Sequence, residues 1–286
     1  MAIQKVLVIG AGTMGSGIAQ LCAQQGFDAV LADVSQELAD KGKARLAKGL
    51  AGRVEKGKMT KEEMAEVLGH ISTAGDLACA QDADLVIESV VENLDVKQKV
   101  MRELDRHVRP GTIIATNTTS LSISAIAEAT SHPEHVTQMH FFNPPVIMKL
   151  VEIMPGKKTA PATIEAATDF AKRLGKDPVV CRREAPAGIV SRILGQLLNE
   201  ATWMVEAGVA EPADIDKAMK LGANHPMGPL ELIDLIGLDV HRAKMQTLRQ
   251  VLDDPRYQHP KIVDRLIDEG RLGKKAGRGF YTYEGK

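Results

Sequence analysis

Five short apolar, β-branched runs punctuate the first half of the chain, and segments with helical spacing lie between them. The runs are KVLVIG at 5–10, DAVLAD at 28–33, ADLVIES at 83–89, GTIIATN at 111–117 and HVTQMHFF at 135–142. Helical spacing occupies 15–25, 35–57, 60–68, 95–107 and 122–130. Strands that alternate with helices join in parallel through right-handed crossovers, and the helices then cover both faces of the sheet. Strands buried on both faces are apolar throughout, as these are. The pattern therefore predicts an α/β fold built on a doubly wound parallel sheet. From about residue 185 the strand runs stop. Helical segments follow at 187–207, 211–220, 228–236, 239–253 and 259–270, divided by Gly208, NHPMGP and Asp253-Asp254-Pro255. The 286 residues leave room for two domains, and we expect one over 1–184 and a smaller all-α domain over 185–286.

The first apolar run leads directly into Gly10, Gly12 and Gly15, after which a helix begins. In that setting the first glycine permits a tight turn, the second lets a pyrophosphate approach the main chain, and the third lets the helix pack on its strand. The free N–H groups at the helix start then face the phosphates. With Thr13 and Met14 the three glycines form an expected cofactor-binding turn. Asp33 ends the second strand 18 residues after Gly15, where a carboxylate can accept hydrogen bonds from an adenosine ribose. Asp33 also favours NAD over NADP, since a 2′-phosphate would meet a like charge there. A plain helix cap is the alternative role for Asp33. The whole pattern is that of a Rossmann-type nucleotide domain.

Ligands on open sheets lie across the carboxyl ends of the strands. Glu92 and Lys97 follow one such end, and Asn117, Thr118, Thr119 and Ser120 follow the next. For Ser120 and Ser122, capping of the next helix is the simpler expectation. The stretch MHFFNPPVIMKLVEIMPG, 139–156, then breaks the alternation. His140 ends a strand, Asn143-Pro144-Pro145 forces a turn, and Glu152 lies in a short apolar strand that brings the chain back. A His–Glu pair can act as a general base with its orienter, because the carboxylate takes one ring N–H and stabilises the imidazolium. Oxidation of an alcohol by NAD requires such a base. A core histidine and a solvated edge charge form the plainer alternative.

Composition narrows the remaining classes. Lys plus Arg (36) balances Asp plus Glu (37), so no overall field draws the chain to nucleic acid or to a membrane surface. No apolar run approaches the roughly 20 residues of a membrane span, and no signal-peptide pattern opens the chain. Three scattered cysteines, Cys22, Cys79 and Cys181, lack metal or disulfide spacing and fit free thiols in a cytoplasmic protein that holds no metal.

The ordered set IGAGTMGSGIAQ, IESVVENLDVK, TNTTSL, HFFNPPVIMKLVEI, KLGANHPMGPLELIDLIGLD and GKKAGRGFYTY closely resembles the L-3-hydroxyacyl-CoA dehydrogenases, over about residues 3–283. The resemblance implies NAD-linked oxidation of a (3S)-hydroxyacyl-CoA, with His140 as base and Glu152 as its partner. It implies cofactor contacts from Asp33, Glu92, Lys97, Asn143 and Lys275, alongside the glycine turn and Asn117. Thr119 stands where the family has a serine and keeps a hydroxyl for the substrate oxygen and the nicotinamide region. Ser191 stands at the family's active-site asparagine, and Ala187-Gly188 replaces its usual Gly-Phe pair. Lys56 matches a CoA-binding lysine, and Arg53 lies beside the position of a second. Lys48 and Lys58 extend that basic stretch, for which a solvated helix face is the alternative. The segment 189–205 is apolar over much of its circumference and suggests a protein partner. By resemblance that partner is a second copy, giving a homodimer. Two other readings stay open: a β-hydroxyacid dehydrogenase acting without CoA, and a non-catalytic NAD-binding protein.

Overall fold

In the computed structural model, residues 3–283 are described, and the chain divides into two units, Met1–Gly188 and Ile189–Lys286. The division falls four residues beyond the boundary expected from the sequence. The first unit holds eight strands: β1 (Lys5–Ile9), β2 (Asp28–Ala32), β3 (Ile71–Ala74), β4 (Leu85–Glu88), β5 (Ile113–Thr116), β6 (Val136–Phe141), β7 (Leu150–Pro155) and β8 (Asp177–Val180). They form one sheet in the order β3-β2-β1-β4-β5-β6-β7-β8. Every neighbouring pair is parallel except β6–β7, which is antiparallel.

Six helices, α1 (Thr13–Gln24), α2 (Gln36–Glu55), α3 (Lys61–Gly69), α4 (Leu94–Leu104), α5 (Ile123–Ala127) and α6 (Pro161–Arg173), accompany the sheet. Successive strand residues point to opposite faces. On β1, Val6 and Val8 pack into a core with Ile18 and Cys22 of α1, Leu46 and Leu50 of α2 and Phe170 of α6. Leu7 and Ile9 enter a second core with Met101 and Leu104 of α4 and Ile123 and Ile126 of α5. The doubly wound expectation therefore holds, with one core on each face. The strand order reverses between β1 and β4, so a crevice opens at their carboxyl ends.

The second unit is helical: α7 (Val190–Glu206), α8 (Pro212–Gly222), α9 (Pro229–Ile236), α10 (Leu238–Leu252) and α11 (Lys261–Asp268). Leu198, Ala201, Ile215, Leu230 and Ile233 form its main core. Two buried carboxylates tie this unit together. Asp216 accepts from the backbone N–H groups of Leu230 (2.7 Å) and Glu231 (2.9 Å) at the start of α9, and from the Tyr281 hydroxyl (2.7 Å). Asp234 accepts from the N–H groups of Phe280 and Tyr281 and from the Tyr283 hydroxyl. The backbone comes so close to these carboxylates that a Cβ at Gly228 would stand 2.2 Å from Asp216 Cγ, and one at Gly279 would stand 2.0 Å from Asp234 Oδ1. Among the described residues no helix is long and apolar enough to cross a membrane.

Candidate active site

The turn after β1 is built as its glycines require. Gly10 has φ +100°, and a Cβ there would lie 2.5 Å from the Ser89 carbonyl oxygen. A Cβ on Gly15 would lie 1.8 Å from the Gly10 carbonyl oxygen. Gly12 differs, since nothing lies within 4 Å of where its Cβ would be. The open space lies at the N-terminus of α1, which has no side-chain cap and no acidic residue in its first turn. Unpaired amide donors, a positive dipole end and room beside the main chain are what a pyrophosphate needs. These residues therefore fit a dinucleotide.

Asp33 braces this turn from the position just after β2. Its Oδ2 accepts from Ala11 N at 2.7 Å and its Oδ1 from Val34 N at 2.7 Å. It does not cap α2, because Ser35 does so by accepting from Leu38 N. From α2, Arg45 donates to the Ala11 carbonyl at 2.6 Å.

His140 and Glu152 are direct partners in the antiparallel β6–β7 ladder, so their side chains emerge side by side on one face. His140 Nδ1 lies 3.1 Å from Glu152 Oε2. The other ring nitrogen, Nε2, lies 3.3 Å from Thr119 Oγ1. The Glu152 side chain is fully buried and that of His140 is 7% exposed. Phe142 covers the imidazole, with ring centroids 4.5 Å apart. A carboxylate on Nδ1 makes that nitrogen the N–H donor and leaves Nε2 as the basic atom. Gly188, at φ +56°, backs the carboxylate so closely that a Cβ would fall 2.3 Å from Glu152 Oε2. Burial, reinforced by the Glu152 charge, pushes the nearby Cys181 thiol up from its ordinary range.

One open groove of about 460 Å³ joins the two features. Gly12, Thr13 and Met14 line one side, Asn117, Thr119 and His140 another, and Asn143 also borders it. Asn117 fastens the strand ends by accepting from Phe141 N at 2.8 Å.

The loop that carries Thr119 is organised by Glu92. Its Oε1 accepts from Thr118 Oγ1 (2.8 Å), Thr119 N (2.9 Å), Ser120 N (2.8 Å) and Ser120 Oγ (3.0 Å). Burial alone would raise the Glu92 carboxyl, but these donors and the Lys97 charge outweigh it and hold the group below the usual carboxylate range. Ser120 thus bonds Glu92 rather than capping a helix, whereas Ser122 caps α5 by accepting from Ala125 N.

Lys97 sits deeper than an exposed cofactor contact would. Its side chain is 1% exposed, and its ammonium bonds Glu88 Oε1 at 2.7 Å. Glu88 is the residue that sequence reasoning missed. The available signal was an acidic residue closing an all-apolar strand with a lysine nine positions later. Asn143 is exposed beyond β6. In the second unit, half-buried Ser191 lies in the first turn of α7, and the Lys275 ammonium pairs with Asp239 Oδ1 at 2.6 Å. Arg53, Lys56, Lys48 and Lys58 are exposed at the C-terminal half of α2 and just beyond it.

Comparison with known proteins agrees with this geometry. A family model described as "3-hydroxyacyl-CoA dehydrogenase, NAD binding domain" matches residues 5–185, and one described as "3-hydroxyacyl-CoA dehydrogenase, C-terminal domain" matches 189–283. The chain is 45% identical to the 3-hydroxybutyryl-CoA dehydrogenase of Bradyrhizobium diazoefficiens, over 99% of this chain and 96% of that protein. With that of Clostridioides difficile the identity is 44%, over 98% and 99% respectively. The crystal structure of (S)-3-hydroxybutyryl-CoA dehydrogenase from Ralstonia eutropha superposes with a TM-score of 0.95 at 40% identity, covering 99% of this chain and 100% of that one. A chain that carries the glycine turn and the His140–Glu152 ladder pair, and that both halves of one family cover almost end to end, belongs to the 3-hydroxyacyl-CoA dehydrogenase family.

Proposed function

We propose that the chain interconverts a (3S)-3-hydroxyacyl-CoA and the corresponding 3-oxoacyl-CoA with NAD, 3-hydroxybutyryl-CoA and acetoacetyl-CoA being the expected pair. The observation that carries this reading is the single groove shared by the glycine turn and the carboxylate-oriented imidazole. Bound NAD would supply the hydride acceptor for the carbinol carbon. His140 Nε2 takes the hydroxyl proton as the C–H bond is lost, so that a carbonyl forms. Glu152 keeps Nδ1–H oriented and offsets the positive charge that the ring acquires. The Thr119 hydroxyl, 3.3 Å from Nε2, would hold the reacting oxygen. Phe142 and the surrounding strands limit water at the imidazole. Gly12, Thr13, Met14, Asp33, Asn117 and Asn143 form the cofactor side. By the family resemblance Ser191 would stand as a catalytic position and Lys275 as a cofactor contact, and Lys97 acts from beneath the loop.

Arg53 and Lys56 would meet the phosphates of CoA. Both are exposed at the end of α2 and just beyond it, which supports that role. Exposed Ile193 and Trp203 on α7 support self-association through the second unit, and free thiols support a cytoplasmic setting. Loss of NADH absorbance with acetoacetyl-CoA tests the activity. His140→Ala is expected to lower turnover roughly 10²- to 10⁴-fold with NADH affinity nearly kept. Arg53→Glu with Lys56→Glu should raise KM for the CoA ester alone. Undiminished turnover in His140→Ala would refute the base, and an unmoved KM would favour a substrate without CoA.

A further inference from the structure

Glu88 closes β4, and its buried carboxylate accepts three hydrogen bonds. Oε1 accepts from Lys97 Nζ (2.7 Å) and Val90 N (2.8 Å), and Oε2 accepts from Thr116 Oγ1 (2.7 Å). Lys97 also donates to the Val90 carbonyl at 3.4 Å and stands 3.7 Å from Glu92 Oε2. Glu92 then spends its other oxygen, Oε1, on the Thr118–Ser120 segment. From that segment Thr119 reaches His140 Nε2. Two carboxylates thus flank one ammonium in a file that ends at the imidazole.

Stability alone is a poor reason for such a file, since a buried ion pair is often matched by apolar side chains of equal volume. The arrangement does something that apolar residues could not. Without Glu88 the nearest anion for the Lys97 ammonium is Glu92, and a close Lys97–Glu92 bond would compete with the four loop donors for that carboxylate. We propose that Glu88 is a positioning residue for the His140 centre: by holding Lys97, it leaves Glu92 to fix the loop that sets the Thr119 hydroxyl against the imidazole. This inference rests on the dehydrogenase reading above only for its kinetic consequence.

The test uses the full chain with Glu88→Gln, which keeps shape and removes the charge. With acetoacetyl-CoA and NADH, kcat is expected to fall about tenfold or more while both KM values move less than about threefold. Hydrogen exchange of the amides in 118–121 should quicken by about tenfold, with β1 and β2 amides unchanged. Glu88→Asp, which retains the charge, should recover part of kcat. Unchanged exchange in 118–121, or a kcat within about twofold of the parent, overturns the proposal. Equal quickening across all amides also overturns it, because that marks a structural role only. Should Glu88→Gln not fold, Thr116→Val, which removes one donor to the same carboxylate, carries the kinetic measurement and the exchange of the 119–121 amides, Thr118 N being left out because it donates to Thr116 Oγ1 itself. If the parent protein does not oxidise NADH with acetoacetyl-CoA, the dehydrogenase reading fails, and the exchange arm still decides the positioning role.

Discussion

Within the second unit, His241 has no exposure, and among the described residues neither of its ring nitrogens has a hydrogen-bond partner. Burial first, then the charges of Lys244 and His259, push its pKa down to about 3. In the unfolded chain the same ring takes up a proton near pH ~6.5. Between these two values the unfolded state binds more protons than the native one, so stability falls as the pH falls. Going from pH ~7.5 to pH ~5 the unfolded ring gains nearly a whole proton, which weakens the fold by about 2 kcal/mol. His241→Leu removes both the titration and the unpaired polar atoms. At neutral pH the variant should be more stable by about 1 kcal/mol, because an unsatisfied buried ring costs more than a leucine of similar bulk. Trp203 is the only tryptophan and lies on α7 of the same unit, so its fluorescence during urea unfolding reports this region directly. Measured at pH ~7.5 and pH ~5, the variant's advantage should widen by about 2 kcal/mol. A gap that stays constant within about 0.5 kcal/mol would show the native ring to be protonated as readily as the unfolded one, and would refute the reasoning.

Two further substitutions separate roles that the structure keeps distinct. Gly12→Ala, with nothing near the new methyl, should fold like the parent yet bind NADH at least tenfold more weakly, as read by fluorescence titration. Gly15→Ala, whose methyl meets the Gly10 carbonyl, should lower the melting temperature as well; equal behaviour of the two would contradict the assignment of Gly12 to the pyrophosphate. Asp253 ends α10 in the left-handed region, at φ 49° and ψ 45°. Asp253→Gly relieves that conformation and removes a negative charge from a helix C-terminus, which should stabilise the chain by about 1 kcal/mol and raise Tm by about 2–4 °C in calorimetry.

Much of this architecture can be read along the chain. The five apolar runs became β1, β2, β4, β5 and β6, and the returning strand with Glu152 became β7. The elements that escaped carry weak signals. β3 is only four residues, ISTA, and three of them are polar or small. β8 contains Pro178 and lies at the sheet edge, where a missing N–H costs no ladder bond, so its sequence does not read as a strand. α6 begins at Pro161 and buries only Thr163, Ala167, Phe170 and Ala171, a thin stripe in which Phe170 is the one large apolar side chain. At the site, the pairing of His140 with Glu152 follows from a strand, a turn and a return, all visible in the sequence. The ladder register that makes them direct partners depends on how long the turn is when folded. The file from Glu88 to Thr119 is less legible, because it joins residues from two strands, one helix and two loops through contacts that no local spacing reveals. Lys97 shows this: its place four residues after Asn93, the α4 cap, marks a helix face but not that the face turns inward.

The antiparallel ladder between β6 and β7 carries a rule about parity. Side chains on a strand change face at every step, so moving β7 by a single position would swing Glu152 behind the sheet and bring an aliphatic neighbour, Val151 or Ile153, opposite the imidazole. Residues gained or lost between Phe141 and Leu150 are therefore harmless to the base only if the hairpin absorbs them without shifting the ladder. The spacing between acid and base is held by pairing, and the chain length between them is free to drift.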